Sequence, residues 1–143
     1  MSNADSKQDS KPNPKPRINS RAKGGRIERM AVAMLKSLGF VNTRRTAQHS
    51  GKTGHAADIV CDDLPHIHFE IKGVRGLDIG TQKLTDAIEQ ASRDCAGKKT
   101  PTVLWYAGRG KWRITLYVNP YGLVTMEPTA HKLHTINNAH SGA

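Results

Sequence analysis
Acidic residues are scarce in this chain: 12 Asp and Glu stand against 22 Lys and Arg, a formal charge of +10 over 143 residues. A field of that sign favours a polyanionic partner, either nucleic acid or an anionic membrane surface. Long apolar runs are missing as well. No stretch approaches the about 20 residues that a membrane-spanning helix needs, and no segment reads as a signal peptide. Nucleic acid is therefore the expected partner, no membrane is expected, and the expected location is the cytoplasm. Cysteine is nearly absent. Cys61 and Cys95 fall on apolar faces of a strand and a helix, so they read as small buried hydrophobes and not as a disulfide. The seven histidines show neither C-x-x-C nor H-x-x-x-H spacing, which leaves a zinc site from His55, Cys61, His66 and His68 without its usual pattern. No internal repeat and no G-x-x-x-x-G-K-[ST] nucleotide loop is present.

What is present fits one domain with polar ends. Residues 1–19 are polar, lysine-rich and interrupted by Pro12, Pro14 and Pro16. They read as a flexible basic arm, either a phosphate contact without sequence preference or a plain solvated tail. Residues 1–26 hold seven Lys and Arg against Asp5 and Asp9, half of the net charge. A helix is expected from Asn19 or Ser20 to about Leu38, on the stripe Ile27, Met30, Ala31, Met34, Leu35 and Leu38, with Gly39 as its stop. Glu28 lies at the edge of that stripe. It can pair with Arg26 or Arg29, or reach a neighbouring sheet. Strands are expected at 40–45, 57–61, 66–72, 101–106 and 112–118, and a second helix at 81–96 on the stripe Leu84, Ala87, Ile88, Ala91 and Cys95. Gln90 flanks that stripe. Trp105 and Trp112 read as core or interface residues in preference to base-stacking platforms. The loop 48–56, with Gln48, Ser50 and Lys52, can grip phosphates through backbone N–H groups and side chains, and Arg75 is a further phosphate contact. Residues 128–143 are expected to be a polar, fraying tail.

The chemistry concentrates in residues 57–72. His66 to Lys72 alternates, so Ile67, Phe69 and Ile71 point one way and His68, Glu70 and Lys72 the other. This reads as a strand with one face on a core. Asp62 to Pro65 reads as the turn of a hairpin that joins it to residues 57–61. If Asp58 lies opposite Glu70 or His68, the two carboxylates share a face; a slip of one residue separates them. Converging carboxylates hold Mg²⁺ or Mn²⁺, which take hard oxygen ligands, and the backbone carbonyl of Ile71 is a further candidate ligand. Such an ion activates water and offsets charge on a phosphate. Lys72 on the same face can orient that water or stabilise the transition state.

The order of these motifs resembles the PD-(D/E)xK nuclease superfamily, and within it the archaeal-type Holliday junction resolvases and related phage endonucleases. Ser20-Arg21-Ala22-Lys23-Gly24 with Glu28-Arg29 resembles the family's first-helix motif. Arg44-Arg45 followed by Gln48-His49-Ser50-Gly51 resembles its basic strand and serine loop. Ala57-Asp58 stands where the family has its P-D pair, and Glu70-Ile71-Lys72 is similar to the E-x-K. Ala87-Ile88-Glu89-Gln90-Ala91 resembles the glutamine-bearing second helix. The departure is Ala57 in place of proline, a position that supplies no ligand. The matching stretch runs from about Asn19 to Leu116.

The resemblance implies an α/β fold of restriction-endonuclease type: a mixed central sheet flanked by helices, in the order α-β-β-β-α-β-β, within residues 20–127. It implies Mg²⁺ or Mn²⁺ on Asp58, Glu70 and the Ile71 carbonyl, with Glu28 assisting directly or through water. Lys72 acts on the nucleophilic water and Gln90 positions Lys72 or a phosphate. DNA contacts are expected from Arg21, Lys23, Arg44, Arg45, Gln48, Ser50, Lys52 and Arg75. The implied activity is metal-dependent hydrolysis of phosphodiesters in branched DNA by a homodimeric junction resolvase, in phage-type recombination or DNA packaging. The host cytoplasm would be its location if phage-encoded. A flap, nicking or restriction-like nuclease of the same fold is the alternative substrate reading. A basic nucleic-acid-binding protein without catalysis is the alternative class.

Overall fold
The computed structural model describes residues 20–46, 57–73 and 81–141; of residues 20–23, 81 and 141 only the backbone is described. The first helix, α1, spans Ser20–Ser37. Ile27, Ala31 and Leu35 recur at four-residue spacing and are buried, with Met30, Met34 and Leu38 packed beside them. Gly39 ends the helix at φ 102°. Its N–H donates to the Lys36 carbonyl and that of Phe40 to the Leu35 carbonyl, each at 3.0 Å. This bond pair needs a left-handed residue, which glycine adopts without a Cβ penalty.

Among the described residues six strands follow: β1 (Thr43–Arg45), β2 (Ile59–Cys61), β3 (Ile67–Gly73), β4 (Thr100–Gly108), β5 (Lys111–Val118) and β6 (Gly122–Met126). They form one sheet in chain order, β1-β2-β3-β4-β5-β6. All neighbours are antiparallel except β3 and β4, which run parallel. A parallel step needs a crossover, and helix α2 (Thr81–Cys95) lies in that connection. The expected α/β class and mixed sheet are therefore found.

Both faces of the sheet are covered. α1 packs on one face, over Ile59, Cys61, Ile67, Phe69, Ile71, Leu104 and Ile114. On the other, Ala87 and Ile88 of α2 pack with Val103, Trp105 and Ala107. Alternation along β4 divides its side chains between these two cores. This corrects the expectation that β3 has one face on a core. His68 and Glu70, on the α2 side, are each only 4% exposed. A central strand with a helix on both sides has little solvent face, so His68 and Glu70 are buried too, and Lys72 near the strand end reaches solvent. Trp105 and Trp112 are core residues.

The end of the chain departs from expectation. Strand β6 extends the sheet, and residues 130–141 form a third helix, α3 (Ala130–Ser141). The expected polar, fraying tail is corrected to a packed helix. Thr129 starts it, its hydroxyl accepting the Lys132 N–H at 3.2 Å as a helix cap does. Leu133 is fully buried in the α1-side core, and the Asn137 side-chain oxygen accepts the His66 N–H at 2.8 Å. One buried leucine, with Ala130 and Ile136 partly buried beside it, is too sparse for the usual amphipathic signature, which is why composition hid the helix. Among the described residues no helix is long and apolar enough to cross a membrane.

Candidate metal centre
The site forms where β2 stops short. β2 starts at Ile59, so Asp58 lies just outside it. Ile59 pairs with Phe69, and continuing that antiparallel register by one residue sets Asp58 opposite Glu70. This is the register in which the two carboxylates share a face. Asp58 turns inward: its Oδ2 accepts the Ile71 N–H at 2.8 Å, taking the position that a longer β2 would occupy. The N–H and C=O of one strand residue point to the same neighbour, so the Ile71 carbonyl faces the same edge. The backbone around Asp58 is held by Thr46, whose N–H donates to the Asp58 carbonyl at 3.1 Å and whose hydroxyl bonds the Ala57 carbonyl.

Glu70 sits in the centre of this group. Lys72 Nζ stands 3.4 Å from Glu70 Oε1, while the lysine side chain is 40% exposed. Burial, and next the Asp58 charge, push the Glu70 carboxyl up to about 7, against the pull of Lys72. Burial also raises Asp58; Glu28 and Asp94 add to that, while the Ile71 N–H and Lys72 oppose it. Asp58 thus stands in the field of Glu28 and Asp94, and Glu70 in that of Asp58 and Asp94, with Lys72 opposing at both.

Glu28 arrives from α1. It is buried, and Arg45 Nε donates to its Oε2 at 2.9 Å. Its partner is therefore Arg45 from β1, not Arg26 or Arg29 of its own helix. The close approach of α1 to β3 depends on Gly73. A Cβ there would stand 2.8 Å from Cγ1 of Ile27, so any side chain would push α1 and Glu28 away from the sheet end. Among the described residues the carboxyl groups of Glu28, Asp58, Glu70 and Asp94 outnumber the cations Arg45 and Lys72 that act on them, inside a chain of +10. An excess of carboxylates at a partly dehydrated strand end, with proton affinity raised by burial, fits a divalent cation.

The remaining expected residues are placed less centrally. Gln90 is exposed on α2, one turn before Asp94. It is Asp94, not Gln90, whose charge acts on Asp58 and Glu70. Arg44 is exposed and paired with Asp62 at 2.7 Å, and Arg45 serves Glu28, so both expected DNA contacts have protein partners. Arg21 and Lys23 lie in the backbone-only start of α1. Gln48, Ser50, Lys52 and Arg75 lie outside the described residues, as does His55 of the possible zinc set. Cys61 and His68 of that set lie on opposite faces of the sheet, since Cys61 packs against the α1-side core and His68 shares the Glu70 face. They do not converge.

Asp94 carried no expected catalytic or metal role, and His68 was considered only in the zinc set. His68, Glu70 and Asp94 offer ligand atoms all within 4.8 Å of one another. Burial lowers the His68 pKa, which keeps the ring neutral near pH 7. The sequence signal for Asp94 was its spacing: it follows Ala87 and Ala91 by seven and three residues, an acid on the flank of an apolar stripe.

No protein-family model matches this sequence, and no curated protein matches it. Among solved structures the chain is similar to Hjc of Archaeoglobus fulgidus, a Holliday junction resolvase from an archaeal hyperthermophile. Identity is 20%, the match covers 76% of this chain and 92% of that one, and the TM-score is 0.48.

Proposed function
We propose that the protein is a divalent-metal-dependent endonuclease of the PD-(D/E)xK kind, acting on branched DNA as a Holliday junction resolvase. One observation carries the reading: Asp58 and Glu70 meet across the β2–β3 register, with Lys72 on the same face and more carboxylate than the local cations offset. Asp58, Glu70 and the Ile71 carbonyl would hold Mg²⁺ or Mn²⁺, with Glu28 assisting through water. A bound ion supplies a lowered water pKa and neutralises charge on the phosphate. Glu70 keeps Lys72 Nζ at the site while leaving it half exposed. From there the ammonium can hold the attacking water and offset charge on the phosphoryl oxygens. Arg45 fixes Glu28. The water oxygen bonds to phosphorus and releases a proton to solvent, the P–O bond to the leaving sugar breaks, and the leaving oxygen takes a proton from solvent. A homodimer would place two such sites for paired cuts, and the positive field would draw DNA in.

The test is side-by-side digestion of a four-way junction, a flap, a nicked duplex, a linear duplex and single-stranded DNA by the purified full chain in Mg²⁺. Paired cuts confined to the junction are expected. Asp58→Asn and Glu70→Gln should abolish cleavage while junction binding persists. Cleavage unchanged in both variants would overturn the site assignment. Equal cutting of flaps or nicked duplex would replace the substrate. Salt-sensitive binding without cleavage in either metal would leave a nucleic-acid-binding protein.

A further inference from the structure
Beneath the proposed catalytic ion, on the α2 side of the sheet, lies a second donor set. His68 and Glu70 are neighbours on one face of β3, and Asp94 comes from the last turn of α2. Their ligand atoms all lie within 4.8 Å of one another. Donors bound to one ion at about 2.1 Å stand about 3 to 4 Å apart, so a small approach lets the three share one.

A separate observation points to an occupant. His68 is 4% exposed, and among the described residues its Nε2 is the buried side-chain polar atom with no hydrogen-bond partner. Buried polar atoms are nearly always satisfied, and an exception signals a missing water or ion. The charges that act on this buried imidazole are those of Asp94 and Lys99, and neither gives Nε2 a hydrogen bond.

We propose that His68, Glu70 and Asp94 form a second cation site, selective for a divalent first-row transition ion over Mg²⁺. An imidazole nitrogen suits transition ions, whereas Mg²⁺ prefers oxygen and keeps its waters. Glu70 then bridges two sites, with Asp58 on the outer side and His68 and Asp94 on the inner. The inner ion would tie the end of α2 to the middle of β3 and fix the Glu70 carboxylate for the outer one. The inner site needs no DNA and does not rest on the nuclease reading.

Mn²⁺ is the probe, added to metal-free protein without DNA and read by pulsed electron paramagnetic resonance. A nitrogen coupling to the Mn²⁺ signal is expected in the wild type and in Asp58→Asn, and Mg²⁺ in large excess should not remove it. His68→Gln should lose the coupling and bind Mn²⁺ about tenfold or more weakly. Circular dichroism checks that the variant is folded. If it is not, Asp94→Asn at a partly buried position replaces it, with the same drop in affinity expected. Mn²⁺ bound without nitrogen coupling, coupling that survives His68→Gln, unchanged affinity in Asp94→Asn, or no Mn²⁺ bound at millimolar concentration would each overturn the proposal. Nitrogen coupling in a protein that cuts no DNA would retain this site and discard the nuclease.

Discussion

Glu70 is poised between proton and cation, because burial and Asp58 hold its carboxyl at about 7 instead of the ordinary 4.5. Between those values the folded chain keeps a proton that the unfolded chain has released. Stability of the metal-free fold therefore falls as pH rises across the window. His68 works in the opposite sense, since its lowered pKa means that the unfolded chain holds the extra proton below about 6.5. The difference between wild type and Glu70→Gln isolates the carboxylate. In a metal chelator, denaturation midpoints of the two should converge near pH 4.5 and diverge in favour of Glu70→Gln toward pH 8. Parallel profiles would remove the raised proton affinity assigned to Glu70. Metal affinity of the wild type should climb with pH up to about 7 and then level. Lys72 makes a different prediction. Under the nuclease reading, Lys72→Ala should lower kcat about 10²–10³-fold while junction affinity changes little; a loss confined to KM would make Lys72 a binding residue only.

At the scale of elements, the site depends on how closely α1 meets β3. Ile27 is β-branched and stiff in a helix, so it cannot swing away from a methyl group at position 73. Gly73→Ala should cost about 1–3 kcal/mol by overpacking, measured by urea denaturation. Ile27→Ala should relieve part of it, giving a favourable coupling in the double-mutant cycle. Additive effects would mean that the helix shifts freely. α3 gives a second test. Leu133→Ala removes a fully buried side chain and should cost about 2–5 kcal/mol, whereas alanine at the exposed His131 should be near neutral. Equal, small effects would return residues 130–141 to the status of a tail.

Over the whole molecule, the opposed charges of surface and site have separate tasks. A net charge of +10 favours polyanions of any kind, whereas an acidic cluster repels phosphate unless a cation occupies it. DNA affinity should therefore depend steeply on salt and rise when a divalent ion is added. Lys7, Lys11, Lys15 and Arg17 stand in the expected arm. Deleting residues 1–19 should lessen the slope of log K against log salt by about 2 to 4, at about 0.9 per lost phosphate contact. An unchanged slope, read by fluorescence anisotropy on a junction, would show that the arm makes no such contacts.

Periodicity and spacing alone determined much of this molecule. The α1 and α2 stripes, the Gly39 stop, the alternation of β3 and the shared side of Glu70 and Lys72 are local properties of the chain. They follow from helix and strand repeats of three to four residues and of two. Tertiary structure decided the rest. The register that sets Asp58 opposite Glu70 depends on where β2 ends, and both registers suit the same hairpin sequence. Glu28 found Arg45 across 17 residues, a choice made by packing and not by helical spacing. The burial of His68 and Glu70 came from α2 crossing the second face of the sheet. Asp94 joined them only because the end of α2 returns to the middle of β3. Proton affinity, metal affinity and dielectric all depend on what surrounds a carboxylate, and those surroundings come from residues far apart in the chain.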